Sequence, residues 1–311
     1  MGVEVVACGK INIDILMDVD EIPKGFQHIM ANSSSISVGG SAANFAVHSA
    51  RLGVKTKLVA CVGDDFYGRD ATKRISEKGV DTSMVQTIAD QPTGLFFLVK
   101  KGEQPSFIIA ETGANEQLEE VTLRRKKVAT ARTIHIAGGF PKTISEAARI
   151  TTSEGIVLSL DPGRKAENVD FSTILRHVDL LFLNEEELRS YFSMEPTEKN
   201  LKELGKKLPG IVVVKRGGKG TMATNGFEFY ESKAFEVAVA DTLGAGDAFA
   251  AGFITAWTRS EDIELALHMG NAVAALTIGE VGAQNGPTLK QTHELLSQYG
   301  VNTDPILRTF R

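Results

Sequence analysis

Short apolar segments rich in β-branched residues recur along the chain and alternate with longer segments of helical character. The short segments lie at residues 3–8, 58–61, 133–139, 156–160, 180–183 and 211–215. Runs that are apolar throughout are typical of strands buried on both faces of a parallel sheet. Predicted helices at 65–78, 143–153 and 264–280 separate several of them. The pattern therefore predicts an α/β fold, a doubly wound and mainly parallel sheet flanked by helices on both faces.

The pattern changes early in the chain. Residues 27–38 alternate and are rich in β-forming residues, and 95–99 and 106–110 are two apolar strands joined by a short turn that contains Gly102. Such a turn between two strands is a hairpin signal. We predict a small inserted β-sheet lid, with strands from about 12–40 and 92–112.

The remaining boundaries follow from composition. We assign residues 1–300 to a single domain and 301–311 to a C-terminal tail. The tail is polar and interrupted by Pro305, so we expect it to fray.

Composition excludes several classes of partner. The chain has 311 residues, 42% of them hydrophobic, and a formal net charge of −5, which gives no electrostatic reason to bind nucleic acid or an anionic membrane. The basic run at 124–127 follows Glu119 and Glu120, and we interpret it as the solvated face of a helix. No apolar run approaches the roughly 20 residues of a membrane span. We predict neither a nucleic-acid nor a membrane partner.

The cysteines indicate the compartment. Cys8 and Cys61 both lie inside apolar strand segments, without Cys-x-x-Cys or Cys/His spacing. We expect buried free thiols and a cytoplasmic location. His135, also inside an apolar segment, is expected to be a core histidine.

The chemistry concentrates in residues 241–249, Asp-Thr-Leu-Gly-Ala-Gly-Asp-Ala-Phe, which run into an apolar helical segment. Glycines at the start of a helix let the backbone approach a ligand, and the free N–H groups of Ala245, Gly246 and Asp247 would face an anion. A carboxylate at such a place repels an anion but suits phosphoryl transfer, where it can take the proton of the attacking hydroxyl. The alternative is that Asp247 only caps the helix.

This stretch resembles the C-terminal signature of the ribokinase-like sugar kinases, the PfkB family, and further matches follow along nearly the whole chain. The resemblance implies that Asp247 is the catalytic base and that the amides of Gly244, Ala245 and Gly246 stabilise the transferred phosphoryl group. It also implies a lid over the sugar that often pairs with the lid of a second subunit. We therefore expect a homodimer.

The acceptor site is predicted from several short motifs. Asn12 and Asp14 follow the first strand, at the sheet edge where open α/β folds bind ligands. The resemblance makes Asp14 a substrate-binding residue, and residues 39–46 resemble the first family signature. The remaining residues that it implies for the acceptor are Gly39, Gly40, Asn44, Asn115 in a Gly-Ala-Asn segment, and Asp241.

The nucleotide site is predicted on the later strands. Asn184 and Glu187 match the Asn-x-x-Glu motif of the family, which implies that Glu187 holds Mg²⁺ through water. The alternative is that these residues only stabilise the start of a helix, which would also explain their presence. Residues 215–220 are not a Walker A loop, because Gly follows Lys219. The resemblance implies that the nucleotide is bound by Lys215, Gly217, Gly220 and Asn271.

The sequence allows two interpretations for each of two further features. Asp161 ends a strand and is either a turn residue or part of the phosphate-facing wall. Residues 282–287 resemble a loop that holds a monovalent cation in ribokinase, but Gly286 stands where the family has a hydroxyl, which leaves activation by K⁺ in doubt.

The resemblance leads us to expect an ATP- and Mg²⁺-dependent kinase that acts on a primary hydroxyl of a small sugar such as ribose or fructose. A nucleoside kinase of the same fold is the alternative, since the short Gly138-Gly139 strand end leaves room for a base. A non-catalytic sugar or nucleotide sensor is a remote alternative. An NAD-dependent dehydrogenase is disfavoured, because no Gly-x-Gly-x-x-Gly follows the first strand.

Overall fold

The computed structural model describes residues 3–22, 25–102, 104–121, 123 and 128–310. The basic run at 124–127, interpreted above as a solvated helical face, lies outside these residues. Within the described ranges the chain forms a nine-stranded sheet and a four-stranded sheet. No helix in those ranges combines the length and apolarity needed to cross a bilayer.

The strands are numbered in chain order. They are β1 (Val5–Gly9), β2 (Asn12–Asp18), β3 (Ser33–Gly39), β4 (Thr56–Gly63), β5 (Asp81–Ile88), β6 (Gly94–Lys101), β7 (Gln104–Glu111), β8 (Thr133–Ala137), β9 (Val157–Asp161), β10 (Leu180–Asn184), β11 (Ile211–Lys215), β12 (Thr221–Thr224) and β13 (Phe229–Ser232). The large sheet has the order β13-β12-β11-β10-β9-β8-β1-β4-β5. All its pairings are parallel except β11 with β12 and β12 with β13. The predicted doubly wound, mainly parallel fold is confirmed, although β5 was not predicted.

The helices are numbered in the same way. They are α1 (Ser41–Arg51), α2 (Phe66–Glu77), α3 (Pro141–Glu154), α4 (Phe171–Ile174), α5 (Glu185–Phe192), α6 (Glu198–Gly205), α7 (Ala245–Ser260), α8 (Ile263–Ile278), α9 (Leu289–Gln298) and α10 (Asp304–Leu307).

Hydrophobic clusters cover both faces of the large sheet. In β10, Leu180 and Phe182 pack with α1, α7 and α8 on one face, while Leu181 and Leu183 pack with α3, α5 and α6 on the other. Successive side chains of a strand point to opposite faces, so an unbroken apolar run is what two covered faces require. His135 is one such core residue: it is 1% exposed, bonded to Ser159 and stacked on Phe45, as expected.

The small sheet has the order β3-β2-β6-β7. β2 pairs with β3 in antiparallel and with β6 in parallel orientation, and β6 and β7 form the predicted hairpin. Only Lys10 and Ile11 separate β1 from β2, so the small sheet begins directly at the ligand edge of the large one. The predicted lid sheet is confirmed.

Parallel register brings the carboxyl ends of the central strands to one edge. Ala137 is paired with Asp161, and Asn184 is paired with Lys215. The polar residues that end β9, β10 and β11 are thereby adjacent, as Asp14 is to the end of β1 through the short connection to β2. This edge is where doubly wound folds bind ligands.

The expectation that the C-terminal tail frays is wrong for the described residues up to 310. Ile306 in α10 is fully buried in the cluster that contains α7 and α8, and the guanidinium of Arg259 lies 4.2 Å from the centre of the Phe310 ring. One apolar side chain in the right place anchors a segment whose average composition is polar.

We predict that Ile306→Ala destabilises the protein by about 2–5 kcal/mol, because it removes a fully buried side chain and leaves a cavity. Urea unfolding monitored by circular dichroism measures the loss. Val239→Ala, at a side chain that is 61% exposed, is the control and should stay within about 0.5 kcal/mol of the wild type. Equal stability of the Ile306 variant and the wild type would show that the tail does not dock.

Candidate active site

The N-terminus of α7 has the geometry of an anion site. Its N-cap, Gly244, has φ 76° in the left-handed region, and a Cβ there would lie 2.6 Å from the carbonyl oxygen of Ala283, so only glycine fits. The amides of Gly246 and Asp247 have no hydrogen-bond acceptor among the described residues. The amide of Ala245 differs from our prediction, because it makes a long bond of 3.4 Å to the carbonyl of Thr242. Two free donors therefore remain at the positive end of the helix.

Asp247 lies among charged groups at this point. Its Oδ2 accepts a hydrogen bond of 2.9 Å from Nδ2 of Asn44. Burial raises the pKa of Asp247 to about 7; Asp161 and Asp14 add to this effect, while the bond from Asn44 and the charge of Lys215 oppose it. A carboxylate with a pKa near neutrality is suited to accept a proton at physiological pH.

A chain of hydrogen bonds fixes the orientation of Asn44. Lys78 donates to Oε1 of Gln284 at 3.0 Å, and Nε2 of Gln284 donates to Oδ1 of Asn44 at 3.2 Å. An ammonium group can only donate, so Gln284 must present its oxygen to Lys78 and its amino group to Asn44. Asn44 must then present its own amino group to Asp247. The residues Lys78 and Gln284 were not predicted to belong to the site.

The predicted acceptor residues meet beside this carboxylate. Asp14 lies over Gly39, where a Cβ would be 1.9 Å from Oδ2 of Asp14. Burial raises the pKa of Asp14 to about 6, and Asp241 adds to the shift. Gly40 has φ 98°, and a Cβ there would lie 2.4 Å from the carbonyl oxygen of Lys10. Both glycines are therefore required by close packing at the start of α1.

Asn12 and Asn115 are hydrogen-bonded to each other. The amino group of Asn115 donates to the carbonyls of Ile11 and Thr112 and to Oδ1 of Asn12, and its Oδ1 accepts from the amide of Ile11. Asn115 is 1% exposed. Its carboxamide holds the connection between β1 and β2, and its contact with substrate stays a prediction.

On the other side of Asp247 lies an ion pair. Nζ of Lys215 contacts the carboxylate of Asp161 and lies 3.3 Å from where a Cβ of Gly246 would be. Burial opposes the charge of Lys215, but Asp161, Glu187 and Asp247 together raise its pKa. Lys215 is therefore a permanently charged ammonium group at the first turn of α7, and Asp161 belongs to the site instead of to a simple turn.

Asn184 and Glu187 form a capping box at the start of α5. Oδ1 of Asn184 accepts from the amide of Glu187 at 2.8 Å, and Oε2 of Glu187 accepts from the amide of Asn184 at 2.9 Å. Burial raises the pKa of Glu187, and Asp161 adds to it. Within the described chain no three potential ligands cluster around a metal position. A single carboxylate with one free oxygen fits only a cation that keeps most of its waters, as Mg²⁺ does.

The other predicted nucleotide residues lie near the end of β11 that carries Lys215, since Lys215 is paired with Thr221 at the start of β12. Gly217 and Gly220 have φ 57° and 86° and close the turn between β11 and β12. Asn271, 6% exposed, donates to Oγ1 of Thr221, to Oγ of Ser232 and to the carbonyl of Lys233. Its carboxamide holds α8 against this hairpin, and its contact with adenine stays a prediction.

The loop at 282–287 contacts Asp241 before α7 and His48 in α1. Oδ1 of Asp241 accepts from the amide of Leu243, and Oδ2 accepts from the amide of Gly282, each at 3.0 Å. A Cβ at Gly286 would lie 2.2 Å from Nδ1 of His48, so the ring excludes any side chain there. Nε2 of His48 is 2.9 Å from the carbonyl of Ala283, and burial lowers the pKa of His48 to about 4. His48 thus explains why the position carries glycine.

Comparison with known proteins identifies the chain. The model of the pfkB family carbohydrate kinases matches residues 3–291. The protein belongs to the pfkB family. It is therefore a phosphotransferase, a sugar or nucleoside kinase that acts on a hydroxyl group.

Individual relatives share nearly the whole length of this pfkB kinase. An ATP-dependent ribose-1-phosphate kinase of Halopiger xanaduensis is 33% identical, over 95% of this chain and 99% of that protein. A nucleoside kinase of Methanothermobacter thermautotrophicus is 27% identical, over 90% and 91% of the two chains. The structure of Arabidopsis thaliana ribokinase complexed with ribose and ATP superposes with a TM-score of 0.86 at 27% identity, covering 95% of this chain and 99% of that one.

We predict that Lys78→Met raises the pKa of Asp247. Without the ammonium group, the side-chain carboxamides of Gln284 and Asn44 are free to flip. Asn44 can then present its oxygen to Asp247, which favours the protonated acid. Loss of one hydrogen bond to the ionised form corresponds to a shift of about one pH unit. Because the ionised carboxylate is the active form of a base, the rise of kcat with pH should move to higher pH, with recovery at alkaline pH.

The pH profile of kcat, together with ¹³C NMR titration of the carboxylate, measures this shift. Lys73→Met is the matched control, because Lys73 lies on α2, the helix that ends directly before Lys78, and its ammonium contacts only exposed Glu77, at 3.8 Å. A uniform fall of kcat at every pH, or no change in the titration, would show that Lys78 does not set the protonation of Asp247.

Proposed function

We propose that the protein transfers the γ-phosphoryl group of ATP to the primary hydroxyl of a ribose-type sugar, with Asp247 as general base. The observation that carries the proposal is the position of Asp247: its carboxylate, with a pKa of about 7, lies at the first turn of α7, beside two free amides and the ammonium group of Lys215. A site that only bound an anion would gain nothing from that carboxylate.

The parts have distinct roles in the proposed reaction. Asp247 takes the proton of the acceptor hydroxyl as its oxygen attacks the γ-phosphorus, and the bond to the β-phosphate oxygen breaks to release ADP. The amides of Gly246 and Asp247 and the dipole of α7 stabilise charge on the transferred group. Lys215 neutralises the phosphates. Glu187 would hold Mg²⁺ through water, and the ion supplies further positive charge to the phosphates.

Asp14 and Asn44 orient the acceptor, and Gly39 and Gly40 let it approach the backbone. The named activities of the relatives point to one chemical group: ribose, ribose 1-phosphate and nucleosides all carry a primary hydroxyl on a ribose ring. This shared group supports a ribose-type acceptor over fructose.

A nucleoside acceptor is the second candidate, supported by the nucleoside kinase among the relatives. We expected room for a base at the end of β8, but the structure shows none beside the two glycines there. A Cβ at Gly139 would lie 2.4 Å from the carbonyl oxygen of Lys165, and one at Gly138 would lie 2.6 Å from the ring of Phe140. The space beside both glycines is already filled by protein.

A homodimer through the lid is proposed from the arrangement of the small sheet. Ile36, Ile15, Phe97 and Ile109 are register partners, one from each strand, and form an apolar row across the sheet. Ile36 and Ile109 at its ends are 58% and 61% exposed. Exposed apolar rows of this kind are typical of protein interfaces. ATP as the donor and the buried free thiols of Cys8 and Cys61 support a cytoplasmic location.

We predict that Asp247→Asn lowers kcat by about 100- to 10,000-fold, because an amide cannot take the proton. A coupled ADP-release assay with ATP and Mg²⁺ across pentoses, hexoses and nucleosides measures it, and calorimetry checks that ATP still binds. Asp90→Asn is the control, since Asp90 is exposed with φ 59°, a conformation that asparagine also adopts. Retention of more than about a tenth of the wild-type rate would contradict the role of the base. No turnover by the wild type with intact ATP binding would favour a sensor.

We expect Ile109→Glu to convert a dimer into a monomer, because it introduces a charge into the apolar row. Sedimentation velocity measures the mass in solution. The control is Ile108→Glu, at the neighbouring residue, which points to the opposite face of the same strand. A wild-type monomer at micromolar concentration, or a variant that remains dimeric, would contradict the lid interface.

A further inference from the structure

Two lysines that the proposed mechanism does not use converge at the ligand edge of the large sheet. Lys10 follows β1, and Lys165 follows β9. β8 lies between these strands in the sheet, and the segment after it contacts both lysine residues. Nζ of Lys10 is 5.9 Å from the centre of the Phe140 ring, and the backbone of Lys165 packs against Gly139. The topology therefore brings two cations from distant parts of the sequence to one place.

Within the described part of the chain, neither lysine has a carboxylate partner. Among the described residues no ion pair within 4.0 Å involves Lys10 or Lys165. Burial lowers the pKa of Lys10, Lys165 lowers it further, and Glu116 partly opposes them. Glu116 is itself engaged by the hydroxyl of Thr112. A half-buried ammonium group beside a second one is unfavourable in the empty protein, and a bound anion would relieve the repulsion.

The backbone of Lys10 lies at the start of α1, beside the predicted acceptor residues. The carbonyl of Lys10 accepts a bond of 3.4 Å from the amide of Ala43, the residue before Asn44, and lies against Gly40. On the nucleotide side, the cation that acts on Asp247 is Lys215. An acceptor held by Asp14 and Asn44 would therefore have Lys10 beside it, whereas the phosphates of ATP would meet Lys215.

We propose that Lys10 and Lys165 bind an anionic group carried by the acceptor, so that the preferred acceptor is a sugar phosphate with a free primary hydroxyl rather than a neutral sugar. The proposal rests on the proposed function. Two ammonium groups match the two negative charges of a phosphate monoester. That phosphate stays unchanged in the reaction: the new bond forms at the primary hydroxyl, ADP leaves, and the product is a bisphosphate.

The test compares acceptors that carry no anion, a phosphate or a carboxylate. The values of kcat/KM are measured for ribose and for ribose 1-phosphate, whose phosphate leaves the primary hydroxyl free, and for 2-keto-3-deoxygluconate, whose anion is a carboxylate. We expect the wild type to prefer the phosphorylated sugar. Lys10→Met and Lys165→Met should each reduce that preference ratio by about 10- to 100-fold, as the loss of one charged hydrogen bond implies. Lys290→Met, at a side chain that is 85% exposed on α9, should leave the ratio unchanged.

A second readout does not depend on turnover. Calorimetric titration of ribose 1-phosphate into the Asp247→Asn variant should show binding that Lys10→Met weakens by a similar factor. A stronger preference for the sugar acid would support the anion site and identify a carboxylate as its ligand. A preference for ribose that the lysine variants do not alter would overturn the anion site and leave the kinase intact. Absence of turnover with every acceptor, together with absence of binding, would overturn both proposals.

Discussion

The site depends on one constraint, a carboxylate held half-buried at the positive end of a helix. Burial raises the pKa of Asp247 to about 7, and the repulsion of two nearby acids, Asp161 and Asp14, adds to this effect. The ammonium of Lys215, the bond from Asn44 and the first turn of α7 oppose this rise. The balance leaves a base that can be ionised near neutral pH and can still accept a proton. Each of these groups comes from a different element, so the whole sheet edge must be assembled before the balance exists.

The same edge separates charges by side. In our proposal, Asp14 and Asn44 stand on the acceptor side, with Lys10 and Lys165 beyond them, whereas Lys215, Asp161 and Glu187 stand on the side that receives the nucleotide. A phosphoryl group would pass between the two sides at the N-terminus of α7, where the free amides lie.

Several residues that the family resemblance assigns to ligand binding make hydrogen bonds within the protein. The carboxamide of Asn115 holds the connection between β1 and β2, and that of Asn271 holds α8 to the hairpin of β12 and β13. Asn184 and Glu187 brace one another across the start of α5. Such bonds hold the backbone around the site in place, and a mutation at these positions would alter the site through that backbone.

The amino-acid sequence by itself determined the fold class, the lid and the strand ends that carry the chemistry. These features follow from local patterns: apolar runs, a hairpin turn, and glycines before a helix. The position of Asp247 was predictable for the same reason, since the helix start lies within nine residues of sequence. The tertiary structure alone decided the partners, because hydrogen bonds between Lys78, Gln284 and Asn44 join residues up to 240 positions apart. Ile306 docks the tail, His48 excludes a side chain at Gly286, and Lys10 meets Lys165 only because β8 lies between β1 and β9. Sequence periodicity reports which side of an element is buried, but it carries no information about which distant element covers it.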